Sequence, residues 1–400
     1  MSPIPDPLLR WRDEFPILAT CTYLISNSLG AMPRGVYDSL RAYADAWATL
    51  GVTAWGKVWW DLNGEVGDRI APLMGAPAGT VLMQQNASIA NSILFSALDF
   101  GDPRRNKVVI SDMDFPSDVY ALRQWLPPSV EVQMVRTHDG IGLDTDELLA
   151  AIDERTALVS LSHVLFKSAY ILPAAEIVAK AHAVGAQVVL NGYHSIGVIP
   201  VDVTGLNVDY YIGGVLKWMC GGPGGVFMYV RPDRLLALRP KVTGWFAHQQ
   251  PFAFDIEHFE PRDDIYRLAT GTPGIASLYA IQPGIDIITQ VGVEAIRDKS
   301  IRQTSLLLSL ADAAGWEVVS PRDSERRGGT VTVRPPEAYA VSRELIARGF
   351  IVDFRQGAGI RIAPHFYTQD EEVRAVMAEI AAILKDGSWR PHAEARAFVT

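Results

Sequence analysis

A chain of 400 residues that is 48% hydrophobic, with a mean hydropathy of +0.11, holds enough apolar material for a large buried core, organised as one major domain and one minor. Its formal net charge of −9 comes without any basic block, which argues against a nucleic-acid partner. Two cysteines, Cys21 and Cys220, form neither a disulfide framework nor a zinc-ligand spacing, as expected of a reducing, cytoplasmic compartment; no apolar run is long enough for a membrane span, and the proline-rich stretch from Met1 to Arg12 is not a signal peptide.

Residues 1–30 read as an extended arm ending in Tyr23-Leu24-Ile25-Ser26-Asn27-Ser28-Leu29-Gly30, whose Ser, Asn and Gly favour turns and suit the lining of a cleft. A helical pattern runs from Pro33 to Leu50, and the aromatic run from Trp55 to Trp60 reads as packing or subunit interface before substrate contact. After Gly79, short β-rich runs alternate with amphipathic helices, which predicts an α/β fold with a mostly parallel sheet in a large domain over residues 31–290. The expected strands are Val81 to Met83, Val108 to Ile110, Val130 to Val135, Ala157 to Leu161, Gln187 to Leu190, Tyr210 to Ile212 and Val226 to Val230. Long helices are expected from Ile275 to Gln290 and from Val293 to Ala314. Residues 291–400 read as a small α+β domain, with strands at Trp316 to Val319, Thr330 to Val333, Ile351 to Phe354 and Ile360 to Ile362, and a last helix from Asp370 to Leu384.

Ligands of such sheets collect outside the carboxyl ends of the strands, where Ser88, Phe115, Asp118, His163, Asn191, His194 and Lys217 converge. Lys217 stands alone between an apolar stretch and Gly221-Gly222-Pro223-Gly224-Gly225, a poor place for a solvated charge and a good one for a nucleophilic amine. The bland alternative is a snorkelling lysine at a strand end. Asn86-Ala87-Ser88 opens a helix whose free N–H groups suit a phosphate; taken alone it is a simple N-cap. Arg361, set among apolar residues, needs a partner, either a ligand carboxylate or a structural salt bridge.

The order of motifs resembles the fold-type I pyridoxal phosphate (PLP) enzymes of the class V aminotransferase group, in their kynureninase-like form. The resemblance spans nearly the whole chain and rests on Ser26-Asn27-Ser28-Leu29-Gly30, Phe115-Pro116-Ser117-Asp118, Ser162-His163-Val164, His194-Ser195-Ile196-Gly197, Lys217-Trp218 with its glycine turn, Gly244-Trp245-Phe246 with His248, Gly271-Thr272-Pro273, and Arg361. It implies that Lys217 forms a Schiff base with PLP, that Ala87 and Ser88 hold the phosphate, and that Phe115 stacks on the pyridine ring with Asp118 close by. Position 191 is that of the ring-nitrogen partner, and His194 follows on the same strand. Trp245 and Thr272 resemble positions that reach the cofactor of a neighbouring subunit, which makes the active unit a homodimer. Arg361 is implied to hold the α-carboxylate of a small amino acid substrate, with Asn27 and Ser28 of the arm beside it.

Three positions depart from the family pattern. Asn191 stands where the family has an aspartate, and a neutral amide cannot stabilise a protonated ring nitrogen by an ion pair. Either the natural reaction tolerates a weaker electron sink, or an aspartate has been replaced to slow turnover. Leu216 stands where kynureninase has a tyrosine, and Ser92 where the vertebrate-type enzyme has a histidine; both argue against kynurenine itself. The expected activity is a lyase cleaving at Cβ, carbon–carbon or carbon–sulfur, in specialised metabolism. Decarboxylation-coupled oxidative deamination, then transamination, follow as alternatives, and the rival from another class is an inactive PLP-fold binding protein.

Overall fold

The structure, a computed structural model, describes residues 6–393; the first five residues of the predicted arm and the end of the predicted tail lie outside them. Seven strands build the large sheet: β1 (Val81–Gln84), β2 (Lys107–Ser111), β3 (Glu131–Val135), β4 (Thr156–Ser162), β5 (Gln187–Asn191), β6 (Tyr210–Gly214) and β7 (Val226–Val230), in the order β1-β7-β6-β5-β4-β2-β3. All pairings among β2 to β6 are parallel, and β7 alone runs against its neighbours β6 and β1. Along each strand alternate residues enter different cores: Val109, Val159, Val188, Leu190 and Tyr211 on one face, Val108, Ile110, Leu158, Val189 and Ile212 on the other. Both faces are covered, so these strands read as near-continuous apolar runs.

A second sheet of four antiparallel strands lies in the C-terminal part: β8 (Glu317–Val318), β9 (Val331–Arg334), β10 (Asp353–Arg355) and β11 (Gly359–Ile362), in the order β10-β11-β9-β8. It packs with the helices Val293–Ala313 and Asp370–Asp386 around Leu307, Val331, Ile360, Val373 and Ile380.

The arm joins the two sheets. Thr22–Tyr23 pairs in parallel with Phe350–Ile351, Ile25 bridges Ala363, and the Gly30 N–H donates to the Leu216 carbonyl at 2.8 Å. A Cβ at Gly30 would stand 2.2 Å from the Lys217 carbonyl oxygen, so only glycine lets the arm pass this close.

Three predicted elements differ in detail. The strand expected at Ile351 to Phe354 is divided: Phe350–Ile351 pairs with the arm and Asp353–Arg355 joins the small sheet. The helix expected from Ile275 to Gln290 is two, Ile275–Ala280 and Gln282–Val291, because Pro283 brings no N–H and sits in the first turn of the second. The first long helix starts at Val36 rather than Pro33. Among the described residues, no helix is long and apolar enough to cross a membrane.

Candidate active site

Five strands of the large sheet deliver side chains to one edge, and the small sheet closes over it. Between them lies a cavity of about 390 Å³, lined by Asn27, Ser28, Ala87, Ser88, Phe115, Asp118, Asn191, Tyr193, His194, Leu216, Lys217, Arg355 and Arg361 among others. Ten of the twelve site residues expected from the sequence are therefore brought together. Trp245 and Thr272 are not. Trp245 packs against Trp60 and Phe252, with ring centroids 5.5 and 5.8 Å apart, in a separate and partly exposed aromatic group, and Thr272 is exposed.

Lys217 follows β6 on the backbone segment covered by Gly30. Its Nζ lies 2.7 Å from His194 Nε2, 5.1 Å from the Tyr193 ring centroid and 5.8 Å from that of Phe115. Burial, aided by the positive charges of Arg361 and Arg355, pulls the amine down to about 7, while Asp118 opposes the shift. Near neutrality much of it is thus the free base that nucleophilic attack requires. Burial and the Lys217 charge hold His194 well below the ordinary histidine range, so its imidazole is neutral and accepts from the ammonium.

The helix α1 (Ala87–Ala97) opens on the cavity. Its N-cap Asn86 accepts from the Ile89 N–H at 3.0 Å, while Ser88 stands exposed in the first turn. Phe115 caps the helix α2 (Pro116–Trp125) and is 46% exposed, a bare phenyl face in the cavity wall with the Phe166 ring edge-on at 5.4 Å.

Asn191 ends β5 and does not stand alone. Its Oδ1 accepts from the Tyr193 N–H at 2.9 Å, which orients the amide, and its Nδ2 donates to Asp118 Oδ2 at 2.6 Å. The other Asp118 oxygen accepts from Asn91 Nδ2, also at 2.6 Å. Burial, together with the charge of Asp114, raises Asp118 to about 6 against the pull of these two amides and Lys217. Asp114 is buried and accepts from Ser111 and the Ser162 N–H, which ties β2 to β4 behind the site.

Arg361 has the structural ion pair that was one of its two expected readings. It is 2% exposed and forked onto Asp353, with Nε to Oδ1 at 2.8 Å and Nη2 to Oδ2, and Nη1 donates to the Phe166 carbonyl at 2.7 Å; yet it also lines the cavity. Asn27 is fully buried in the cavity wall, and among the described residues neither its Oδ1 nor its Nδ2 has a partner. Of the two remaining departures, Leu216 lines the cavity, whereas Ser92 is half-buried on α1 and outside the lining.

A sequence profile described as Aminotransferase class-V matches residues 22–375. The chain belongs to the class-V aminotransferase family. Kynureninase of Geobacillus thermodenitrificans is 31% identical over 98% of this chain and 95% of its own length. Kynureninase of Pseudomonas fluorescens is 32% identical over 96% and 94%. Among solved structures, the apo cysteine desulfurase of Thermococcus onnurineus superposes with a TM-score of 0.85 at 19% identity, covering 96% of this chain and 100% of that one. A C-DES mutant with glycine covalently linked to its PLP cofactor gives 0.84 at 19% identity, covering 92% and 98%. The expected kynureninase-like family and fold-type I architecture are borne out.

PLP is the cofactor of this class-V family, and the residues present fit it. A bare aromatic face, a helix N-terminus and an amine lowered to about 7 surround one cavity. The position expected to face the ring nitrogen is the exception in its charge, because Asn191 brings there a neutral amide that donates to the Asp118 carboxylate.

Proposed function

We propose that this chain is a PLP-dependent, kynureninase-like lyase that cleaves a bond at Cβ of a small α-amino acid. The observation that carries the reading is the Lys217 amine, lowered to about 7 and 2.7 Å from a neutral imidazole, in a cavity that Arg361 also lines. Bound PLP supplies an electron-withdrawing ring conjugated to the substrate nitrogen. The chain does the rest. Lys217 would attach the cofactor and then take the Cα proton, the Cβ–S bond breaking with its electron pair leaving on sulfur as a thiolate, and His194 would accept the hydrogen bond of the charged amine. The first turn of α1 with Ser88 holds the phosphate, Phe115 covers the ring, and Phe166 narrows the opening above Phe115 against water. Arg361 binds the α-carboxylate, and Asn27 and Ser28 of the arm offer donors and acceptors to the substrate.

A carbon–sulfur bond is the better Cβ target than the aryl ketone of kynurenine, because Leu216, which lines the cavity, replaces the tyrosine expected with that substrate. The active unit is a homodimer in this reading. Trp245 and Thr272 lie outside their own chain's cavity, and the neighbouring surface exposes Phe252, Phe254 and Ile256 at 64, 73 and 98%.

The test starts from the absorption spectrum of the purified protein. A band near the visible edge, lost with borohydride or in Lys217→Ala, is expected; a colourless protein that takes up no PLP would overturn the reading. Mass spectrometry of products from S-substituted cysteines and kynurenines, with and without oxygen, then decides the bond cleaved.

A further inference from the structure

The small sheet brings a second arginine to the site. Asp353 faces Arg361 across the β10–β11 ladder, and Arg355 lies two residues along from Asp353 on the same face. The residue opposite Arg355 is Gly359, where a Cβ would stand 2.4 Å from the Val333 carbonyl oxygen, so no side chain at that position competes for the Arg355 guanidinium. Arg355 Nη2 stands 2.9 Å from Asp353 Oδ2, the same oxygen that Arg361 Nη2 reaches, and its Nη1 donates to the Phe354 carbonyl at 3.0 Å. Both arginines line the Lys217 cavity.

The protein groups at this end leave positive charge and N–H donors over, on a guanidinium, that of Arg355, which is still partly exposed and so reachable by a ligand. Among the described residues, both guanidiniums form ion pairs with one carboxylate, Asp353, leaving one positive charge over. Each guanidinium has five N–H groups. Arg361 commits Nε and one N–H of each Nη, and Arg355 has Nε and part of each Nη still to place. A single carboxylate set between the two neutralises the excess and accepts from both.

We propose that Arg355 is a second substrate-binding residue, which forms with Arg361 a two-guanidinium socket for the substrate's α-carboxylate, and that Asp353 is the positioning residue that aligns both. The socket selects amino acids over the corresponding amines, because an amine leaves the excess charge unanswered. This rests on the reading of the cavity as an amino acid site, and the two can fail separately.

The experiment uses the PLP-loaded protein and two probes, L-alanine and ethylamine, which differ in the carboxylate alone; binding is followed by the cofactor's absorption. In the parent protein L-alanine binds more tightly. Arg355→Gln is expected to weaken L-alanine by about 10- to 100-fold, the scale of lost charged hydrogen bonds, and to leave ethylamine within about twofold. Arg355→Lys, which keeps the charge but not the fork, recovers part of the loss. Equal weakening of both probes, or no change for L-alanine, would show that Arg355 serves only as an ion-pair partner of Asp353 and would overturn the proposal. Failure of the PLP reading looks different: there is then no cofactor band to follow in the parent protein. Should Arg355→Gln not fold, Arg355→Lys against the parent makes the same comparison, with a smaller selective loss of L-alanine supporting the socket and unchanged selectivity opposing it.

Discussion

The two walls of the cavity handle charge in opposite ways. On the large-sheet side, one carboxylate, Asp118, is capped by two neutral amides and raised to about 6, so negative charge there is held weakly. On the small-sheet side, two arginines crowd one carboxylate, so positive charge is in excess. Lys217 lies between them: Arg361 and Arg355 lower it while Asp118 raises it. The comparison teaches that burial lowers the reactive amine first and that the opposed charges of the two sheets, one softly negative, the other in positive excess, adjust it further. The substitutions below remove the amine itself or change one side of that imbalance.

Removing the amine itself has the largest effect. Lys217→Ala is expected to lower turnover by about 10³-fold or more, the scale of a lost proton-transfer group, and to abolish borohydride fixation of the cofactor. Single-turnover absorbance on reconstituted protein checks this. A variant that keeps its rate would place the chemistry elsewhere in the cavity.

Next comes the small-sheet wall. Arg361→Met leaves Asp353, itself fully buried, with Arg355 as its remaining guanidinium, and breaking such a buried pair costs about 3–5 kcal/mol. Urea denaturation at fixed pH measures the cost. A loss below about 1 kcal/mol would mean that Arg355 takes over the pairing in full.

How much of this was legible in the sequence depended on how local each relationship is. Lys217, Phe115 and Ser88 each follow a strand directly, so strand-end reasoning placed them. Arg355 was missed because one strand was drawn from Ile351 to Phe354, which ended the element just before it; the alternation of Asp353 and Arg355, opposite Arg361 across a glycine-containing turn, was the available signal. Asn91 owes its place to Asp118, a partner far along the chain that no local pattern names, whereas Tyr193 is tied to Asn191 two residues before it, a local turn contact that could have been read from the sequence. Asn27 was expected at the cleft, but its orphaned amide depends on the arm lying against Lys217, which the Gly30 contact alone reveals.

On the soft wall, Asn191→Asp sets a second carboxylate where the amide now donates to Asp118 at 2.6 Å. Two buried carboxylates at that distance share one proton, and the pair's upper pKa rises above the value of about 6 already seen for Asp118. An acid raised in the folded state loses stability as pH climbs through that value. The cofactor-free variant is therefore expected to be less stable by about 1–3 kcal/mol at pH 8 and to approach the parent below pH 5. Adding Asp118→Asn restores one donor facing one acceptor and removes the pH dependence. Denaturation curves across pH follow both. With PLP bound, the same Asn191→Asp change is expected to speed proton removal at Cα, since a carboxylate then faces the ring nitrogen.

The smallest effect tests the imbalance most directly. Lys217 in the folded chain lies near 7, below its ordinary value, so the amine is charged below that pH and free above it. The rate at which cofactor-free protein captures PLP should rise with pH and reach its midpoint near 7. Charges facing the amine come from both walls: Arg361, Arg355 and Asp353 on one, Asp118 on the other, while neutral His194 adds none in this range. Removing a neighbouring positive charge favours the ammonium, so Arg355→Gln should move the midpoint up. Removing the negative one disfavours it, so Asp118→Asn should move it down. Each shift is expected to be about half a unit to one unit, as for a single charge nearby but not in contact. Stopped-flow absorbance across pH resolves such shifts, and an unmoved midpoint in both variants would show that burial alone, not the opposed walls, sets the amine.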